Sequence, residues 1–296
     1  MSEENGTRDA AWVEVLVHLV LLLAVAFALY PVLWVVSAAL SPTDAPEVSA
    51  FPVPTDPSLR HFAAVIGTTD GEGRWLFGWQ LFNSLFIAGA TALTAIAIAT
   101  PAAYAMARFD FVGKTGSTRA LLATQMFPGV AAAIPLYLLL NFVHLLDTRT
   151  GLVLVYATTA VPFAIFQLRG AFEGIPKDLE EAAMVDGATR FGAFVRVVLP
   201  AARPALAITA LFAFMTAWNE FILAATFLTS EEMYTLPVVL QRYIGEYDAQ
   251  WPAFAAGAIL VSVPVMLLFY ALQRHLVGGL TAGGVVVRGC RLRIDR

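Results

Sequence analysis

The sequence has few of the charged residues that cover the surface of a water-soluble domain. Charged residues make up 14% of the 296 residues and apolar residues 59%, whereas soluble domains have about 25% and about 45–50%. Its single cysteine, Cys290, excludes an intrachain disulfide and a cysteine-based metal cluster. Its net charge of −4 is spread over several loops and therefore says little about partners, and we expect no nucleic-acid partner. This composition predicts a membrane protein.

Long apolar segments recur along the chain. A hydrocarbon core of about 30 Å needs about 20 helical residues, each rising about 1.5 Å. Segments of this length lie at approximately 14–40, 82–107, 120–141, 152–172, 204–228 and 253–277. The connections leave no room for a large separate soluble domain. We therefore predict an all-α membrane protein, a single domain over residues 1–296 with six transmembrane helices.

The basic residues are distributed unevenly between the connections, which predicts an orientation. Cytoplasmic loops retain Lys and Arg, and with the N-terminus inside, most of the 18 basic residues fall in cytoplasmic segments. The exceptions are Arg60, Arg74, Arg149 and Arg242. Both termini are therefore predicted to be cytoplasmic, with a cytoplasmic tail at 278–296. The segments 41–80 and 229–252 are predicted to be extracytoplasmic loops.

The segment between the fourth and fifth spans, residues 177–200, is charged and has the pattern of short helices. Pro176 suits a first helical turn, and Asp178 and Glu180 put negative charge near the positive end of a helix. Gly187 can adopt the left-handed conformation that ends a helix. A second short helix is then expected in the rest of the segment.

Two properties indicate that this segment docks onto another protein. Ala182 and Ala183 are small enough for a close approach, and Glu181 and Asp186 offer acceptors to basic groups. The alternative is an amphipathic helix lying on lipid headgroups. Such helices usually carry Lys and Arg on their polar face, whereas residues 177–187 contain one basic and four acidic residues. Docking is therefore the favoured interpretation.

The same segment resembles a known signature. It resembles the EAA signature of permease subunits of bacterial binding-protein-dependent ABC importers, carried here by Glu181, Ala182, Ala183, Gly187, Val197, Leu199 and Pro200. Val197 stands where Ile is commoner. Other segments are similar to the carbohydrate-uptake branch, in particular to the smaller permease of maltose-type importers, namely Asn83-Ser84, residues 103–109, residues 218–221 and residues 278–285. Residues 286–296 depart from the family's usual short ending.

The resemblance implies a set of partners and a group of contact residues. The expected partners are a second, related permease in a heterodimer, two ATPase subunits, an extracytoplasmic sugar-binding protein and the lipid of the bacterial inner membrane. The ATPase uses ATP and Mg²⁺, whereas this chain is expected to have no catalytic residues and to bind no cofactor or metal. The residues expected to couple to the ATPase are Glu181, Ala182, Ala183, Asp186, Gly187, Leu199 and Pro200.

Polar residues and prolines inside the spans are candidates for the translocation pathway. Glu220 is the only acidic residue well inside a span, where a carboxylate is costly unless it faces water or a partner. We expect it to face the subunit interface or the translocation cavity, with a structural polar contact between helices as the alternative. Each proline removes a helical hydrogen bond, and Pro128-Gly129 is the expected break. The pathway or interface candidates are Asn219, Glu220, Pro128 and Gly129.

The loop at 229–252 is acidic and aromatic. Tyr243, Glu246 and Tyr247 are candidates for contact with the extracytoplasmic binding protein. Aromatic residues at the ends of membrane spans have another common role, because Trp and Tyr favour the membrane–water interface.

The function expected from these features is ATP-driven import of a carbohydrate by alternating access, with maltose, maltodextrin or a related oligosaccharide as substrate. An ABC importer of another solute is one alternative. An ion-driven secondary transporter is another, and it would need more intramembrane carboxylates or two repeated halves. An intramembrane enzyme would need a convergent set of reactive groups, whereas the four histidines are scattered over different segments.

Overall fold

The computed structural model describes residues 3–44, 51–54, 56–126, 129–245 and 249–282. Within these ranges the chain is helical and has no strand, only two isolated bridges. The helices are α1 (Glu3–Ala39), α2 (Arg60–Ile66), α3 (Leu76–Arg108), α4 (Lys114–Met126), α5 (Ala133–Phe142), α6 (Arg149–Glu173), α7 (Lys177–Val185), α8 (Arg190–Ala193), α9 (Leu199–Ala201), α10 (Arg203–Trp218), α11 (Ile222–Phe227), α12 (Leu236–Arg242) and α13 (Trp251–Ala282).

In the described part of the chain, four helices are long and apolar enough to cross a membrane, and up to six crossings result if each of two bent helix pairs counts as one. The four lie at Trp12–Ala39, Leu76–Arg108, Arg149–Glu173 and Trp251–Gln273. The all-helical class is confirmed, whereas the number of six crossings stays a prediction.

Two of the predicted spans are not single helices. The span predicted at 120–141 consists of α4, a 3₁₀ turn at Gly129–Ala132, and α5. The span predicted at 204–228 consists of α10 and α11, separated by residues 219–221. Apolar length alone does not distinguish a continuous helix from two half-helices, because both bury the same residues in lipid.

Four of the prolines in the predicted spans lie inside helices. Pro101, Pro162 and Pro264 lie inside α3, α6 and α13, and Pro135 lies in α5. Pro128, the expected break, lies outside the described residues. The break at residues 219–221 contains no proline.

The contacts divide the chain into two compact units, residues 1–77 with 240–263 and residues 78–239 with 264–296. In the first unit, Ala39, Ala255 and Ala256 form a small buried cluster. The prediction of a single domain stays a prediction.

In the second unit, small residues bring α6 and α10 close together. Ala160 and Ala213 are buried in one cluster, and the rings of Phe163 and Phe212 meet edge to face at 5.9 Å. Small residues at helix contacts are typical of membrane bundles, because they let the backbones approach closely.

Candidate functional site

The segment between α6 and α10 forms a helix, a glycine turn and a second helix. α7 begins directly after Pro176 and has Asp178 and Glu180 in its first turn. Gly187 has a φ of +90°, which L side chains adopt only with strain. The amide of Ala188 donates to the carbonyl of Ala183 at 2.9 Å, so carbonyls at the end of α7 are satisfied by a glycine cap.

The second half of the segment is less regular than the sequence predicts. The hydroxyl of Thr189 accepts a hydrogen bond from the amide of Gly192 and caps α8. The chain then makes a π-helical turn at Phe194–Val198, in which both end residues are buried, before α9. Arg190–Ala201 meets Arg203–Trp218 at an angle of 73°.

A buried ion pair attaches α7 to the end of α3. Arg108 donates from Nε to Glu180, and their side chains are only 7% and 8% exposed. The hydroxyl of Tyr104 donates to the other oxygen of Glu180 at 2.8 Å. Arg108 also donates to the carbonyl of Ile175, just before α7, at 2.8 Å. Both charges are therefore paired and hydrogen-bonded, which burial requires.

Aromatic rings surround this pair. The ring of Tyr104 lies 4.3 Å from that of Phe194 and 6.1 Å from that of Phe172, between centroids. The guanidinium of Arg190 lies 5.2 Å from the ring centroid of Phe109, within the range of a cation–π contact. The segment is thus packed onto the ends of α3 and α6.

The opposite face of the segment is open. Glu181, Ala182, Asp186 and Gly187 are exposed. Apolar side chains lie beside them, because Val185 is 88% exposed and Phe191 is 74% exposed. Exposed apolar groups beside charged groups are typical of a protein contact surface. We call the surface formed by residues 179, 181, 182, 185–187 and 191 the docking face.

The other predicted coupling residues lie further inward. Ala183, Leu199 and Pro200 are half-buried, and Leu199 packs against the buried cluster that contains Tyr104 and Phe194. Leu199 therefore helps to hold the segment in place within this chain. From the sequence, Glu180 was expected only to favour the positive end of α7, and its ion pair was missed. The signal available was that Tyr104 and Arg108 lie in residues 103–109, which resemble the same family.

Asn219 and Glu220 lie at the break between α10 and α11. Glu220 is half-buried and Asn219 is exposed. The Glu220 carboxylate accepts hydrogen bonds from the amides of Leu223 and Ala224 and from the hydroxyl of Tyr156 on α6. Glu220 therefore makes a polar contact with α6, which was the alternative expectation for this residue. The placement of Asn219 and Glu220 at a pathway or interface stays a prediction.

The remaining sequence candidates are less fully described. Gly129 is exposed and begins a 3₁₀ turn. Tyr243 is half-buried, and its carbonyl accepts from the amide of Gln250 at 2.8 Å. Pro128, Glu246 and Tyr247 lie outside the described residues.

Two polar clusters that sequence reasoning missed hold the segment after α11. Asn83, fully buried, donates to the carbonyls of Glu232 and Tyr234 and accepts from Arg149 at 2.7 Å. Asp147 accepts from the amides of Thr229 and Ser230 and from the Ser230 hydroxyl. The sequence does not reveal this role of Asn83, because its hydrogen-bond partners lie about 150 residues away along the chain and leave no local pattern.

The electrostatics of Asp147 follow from these contacts. Burial raises the pKa of its carboxyl, but the hydrogen bonds from Ser230 and Thr229 together outweigh burial, so its pKa lies below the ordinary 3.8. No group of three His, Cys, Asp or Glu side chains in the described part of the chain could hold a metal ion.

A family model described as "Binding-protein-dependent transport system inner membrane component" matches residues 95–281. The chain belongs to this family. The trehalose transport system permease protein SugB of Mycobacterium tuberculosis is 37% identical over 282 residues, covering 95% of this chain and 99% of that protein. The maltose/maltodextrin transport system permease protein MalG of Vibrio vulnificus is 35% identical over 282 residues, covering 90% and 94%.

A solved structure agrees with these relatives. A bacterial ABC transporter involved in the import of the acidic polysaccharide alginate contains a chain with a TM-score of 0.74 and 25% identity, covering 90% of this permease and 97% of that chain. The resemblance to permeases of binding-protein-dependent importers is therefore confirmed. This permease is a membrane component of a transport system and not an enzyme, and an ion-driven secondary transporter is not supported.

Proposed function

We propose that this permease is a transmembrane subunit of an ATP-driven importer of carbohydrates. Its substrate is a disaccharide or oligosaccharide such as maltose, maltodextrin or a related sugar. The proposal is supported by relatives that are named as trehalose and maltose/maltodextrin permeases. The chain crosses the inner membrane six times with both termini in the cytoplasm, as the distribution of basic residues indicates.

The observation that carries the proposal is the docking face held on a buried ion pair. A partner ATPase binds this face, because its exposed Val185 and Phe191 need an apolar partner and its exposed Glu181 and Asp186 suit basic groups. The two ATPase subunits bind ATP and Mg²⁺, and this chain binds no cofactor. A second, related permease completes the membrane pathway, and an extracytoplasmic sugar-binding protein delivers the sugar.

The contacts of α7 support a route by which ATPase movement reaches the membrane. Glu180 connects α7 to Arg108 and Tyr104 at the end of α3. Phe172 of α6 packs against the ring of Tyr104. A displacement of the docking face is therefore passed to two membrane helices as a rigid movement. ATP shifts the equilibrium between the inward- and outward-facing states only if it binds the transporter more tightly in one state than in the other.

Reconstitution of the complete transporter tests this function. The permease, its partner permease, the ATPase and the binding protein are placed in liposomes, and uptake of labelled maltose, trehalose, maltotriose and amino acids is measured. We expect uptake of at least one sugar that requires ATP and is inhibited by vanadate. Uptake driven by an ion gradient without ATP would overturn the proposal. Uptake only of labelled amino acids would refute the carbohydrate class.

A further inference from the structure

The break in the fifth apolar segment is made by a side chain and not by proline. In a continuous α-helix, the amides of Leu223 and Ala224 would donate to the carbonyls four residues earlier, those of Asn219 and Glu220. They donate instead to the side chain of Glu220, at 2.9 Å and 3.0 Å. The carboxylate thus caps α11 and occupies two of the donors that would otherwise continue α10 into α11.

A third donor ties this cap to α6. The hydroxyl of Tyr156 lies 2.8 Å from Oε2 of Glu220, and Tyr156 is almost fully buried. The pair continues the α6–α10 packing, in which Ala160 and Ala213 share a cluster. These contacts therefore fix the position of the break relative to α6.

We propose that Glu220 is a positioning residue that keeps the fifth segment divided into two half-helices. Amides without partners are far more costly in lipid than in water. When the carboxylate is removed, the amides of Leu223 and Ala224 take the backbone carbonyls of residues 219 and 220, and α10 and α11 join into one helix.

The break has a consequence for transport, which rests on the proposed function. α10 follows directly from the docking segment, whereas α11 leads to Thr229 and Ser230, which Asp147 holds. A break between them allows α10 to move with the ATPase while α11 stays with its outer contacts. A continuous helix would transmit the movement to both ends and hinder the change between the two states.

Distances between spin labels test the structural part directly. The native cysteine is removed by Cys290→Ser, and cysteines for labelling replace Thr216 and Thr226, which are exposed on α10 and α11. A continuous helix would place these two Cα atoms about 15 Å apart. In the assembled transporter, Glu220→Ala should shift the distance from the wild-type value to that of a continuous helix.

Other variants keep the test decisive if Glu220→Ala fails to fold. Glu220→Asp retains a capping carboxylate and should retain the wild-type distance. Glu220→Gln preserves the size but has one acceptor oxygen for three donors, and it should populate both distances. Tyr156→Phe removes the hydrogen bond between α6 and Glu220 but leaves the two hydrogen bonds from the amides of Leu223 and Ala224, so the break should persist. The inference would be overturned by a wild-type label distance in both Glu220→Ala and Glu220→Gln. It would also be overturned by the label distance of a continuous helix in Tyr156→Phe.

Uptake gives the second measurement. Vanadate-sensitive sugar uptake should fall at least tenfold in Glu220→Ala and return close to wild type in Glu220→Asp. Equal uptake in wild type and Glu220→Ala would refute the role of the break in transport. If wild type transports no sugar while the label distances follow the expected order, the proposed function is wrong and the positioning role of Glu220 stands.

Discussion

At the scale of single residues, two neighbouring acids have opposite surroundings. Glu180 is buried and paired with Arg108, whereas Glu181 is exposed on the docking face. Both are glutamates in one short helix, and the sequence separates them only by the signature, which includes Glu181. The packing of α7 on α3 shows that Glu180 is structural, because it pairs with Arg108.

This difference predicts separate effects of substitution. Glu181→Lys should leave stability within about 0.5 kcal/mol, because the site is exposed, but should uncouple ATP hydrolysis from sugar uptake by reversing the charge on the docking face. Gly187→Val should uncouple in the same way, at a strain cost of about 1–2 kcal/mol from its positive φ. The measurement is sugar transported per ATP hydrolysed in liposomes.

Glu180→Ala is the matched comparison for these variants. It leaves Arg108 buried without its partner carboxylate, which typically costs about 3–5 kcal/mol, so it should lower the unfolding temperature of the solubilised protein. An unchanged ratio of transport to hydrolysis in both Glu181→Lys and Gly187→Val would contradict ATPase binding at the docking face.

At the scale of elements, the connection between α5 and α6 holds the segment that follows α11. Asp147 makes this contact with a φ of 54°, a conformation that Asp tolerates better than most residues. Its carboxylate accepts three hydrogen bonds, from the amides of Thr229 and Ser230 and from the Ser230 hydroxyl. The contact gives the end of α11 a defined place in the second unit.

The lowered pKa of Asp147 predicts a dependence of stability on pH. A group whose pKa is lower in the folded state stabilises the fold above its unfolded pKa of 3.8, and this stabilisation is lost as pH falls through the folded value. Asp147→Asn should reduce stability by about 1–2 kcal/mol near neutral pH, and by progressively less below about pH 4.

Thermal unfolding of the solubilised permease between pH 3 and pH 7 measures this effect. Asp110→Asn is the control, because the Asp110 side chain is fully exposed, and it should leave the unfolding temperature near neutral pH unchanged. A difference between wild type and Asp147→Asn that is constant over the whole pH range would contradict the assignment.

At the scale of the whole molecule, the chain must be placed in a membrane with a defined orientation. α1 illustrates the need for a surrounding apolar phase, because none of the apolar window in Trp12–Ala39 is buried within the protein, whereas 56% of that in Arg149–Glu173 is. An apolar helix that buries so little of its surface within the protein is stable only in lipid or against another membrane helix.

The orientation can be tested with the single native cysteine. Cys290 lies in the tail predicted to be cytoplasmic, so a membrane-impermeant maleimide should label it in inside-out vesicles and leave it unlabelled on intact spheroplasts. In a Cys290→Ser background, Val53→Cys places a thiol at a 73% exposed position of the predicted outer loop and should react from outside. Labelling of Cys290 on spheroplasts would show that the predicted orientation is wrong.

The sequence alone determined the helical membrane class and the family resemblance, because apolar length and a spaced signature are local properties of the chain. It also predicted a helix that ends at Gly187, since that depends on nearby backbone geometry. The tertiary structure decided the roles of individual polar residues. Glu180 pairs with a residue 72 positions away and Glu220 with one 64 positions away, and such partners are set by helix packing, which sequence spacing does not reveal.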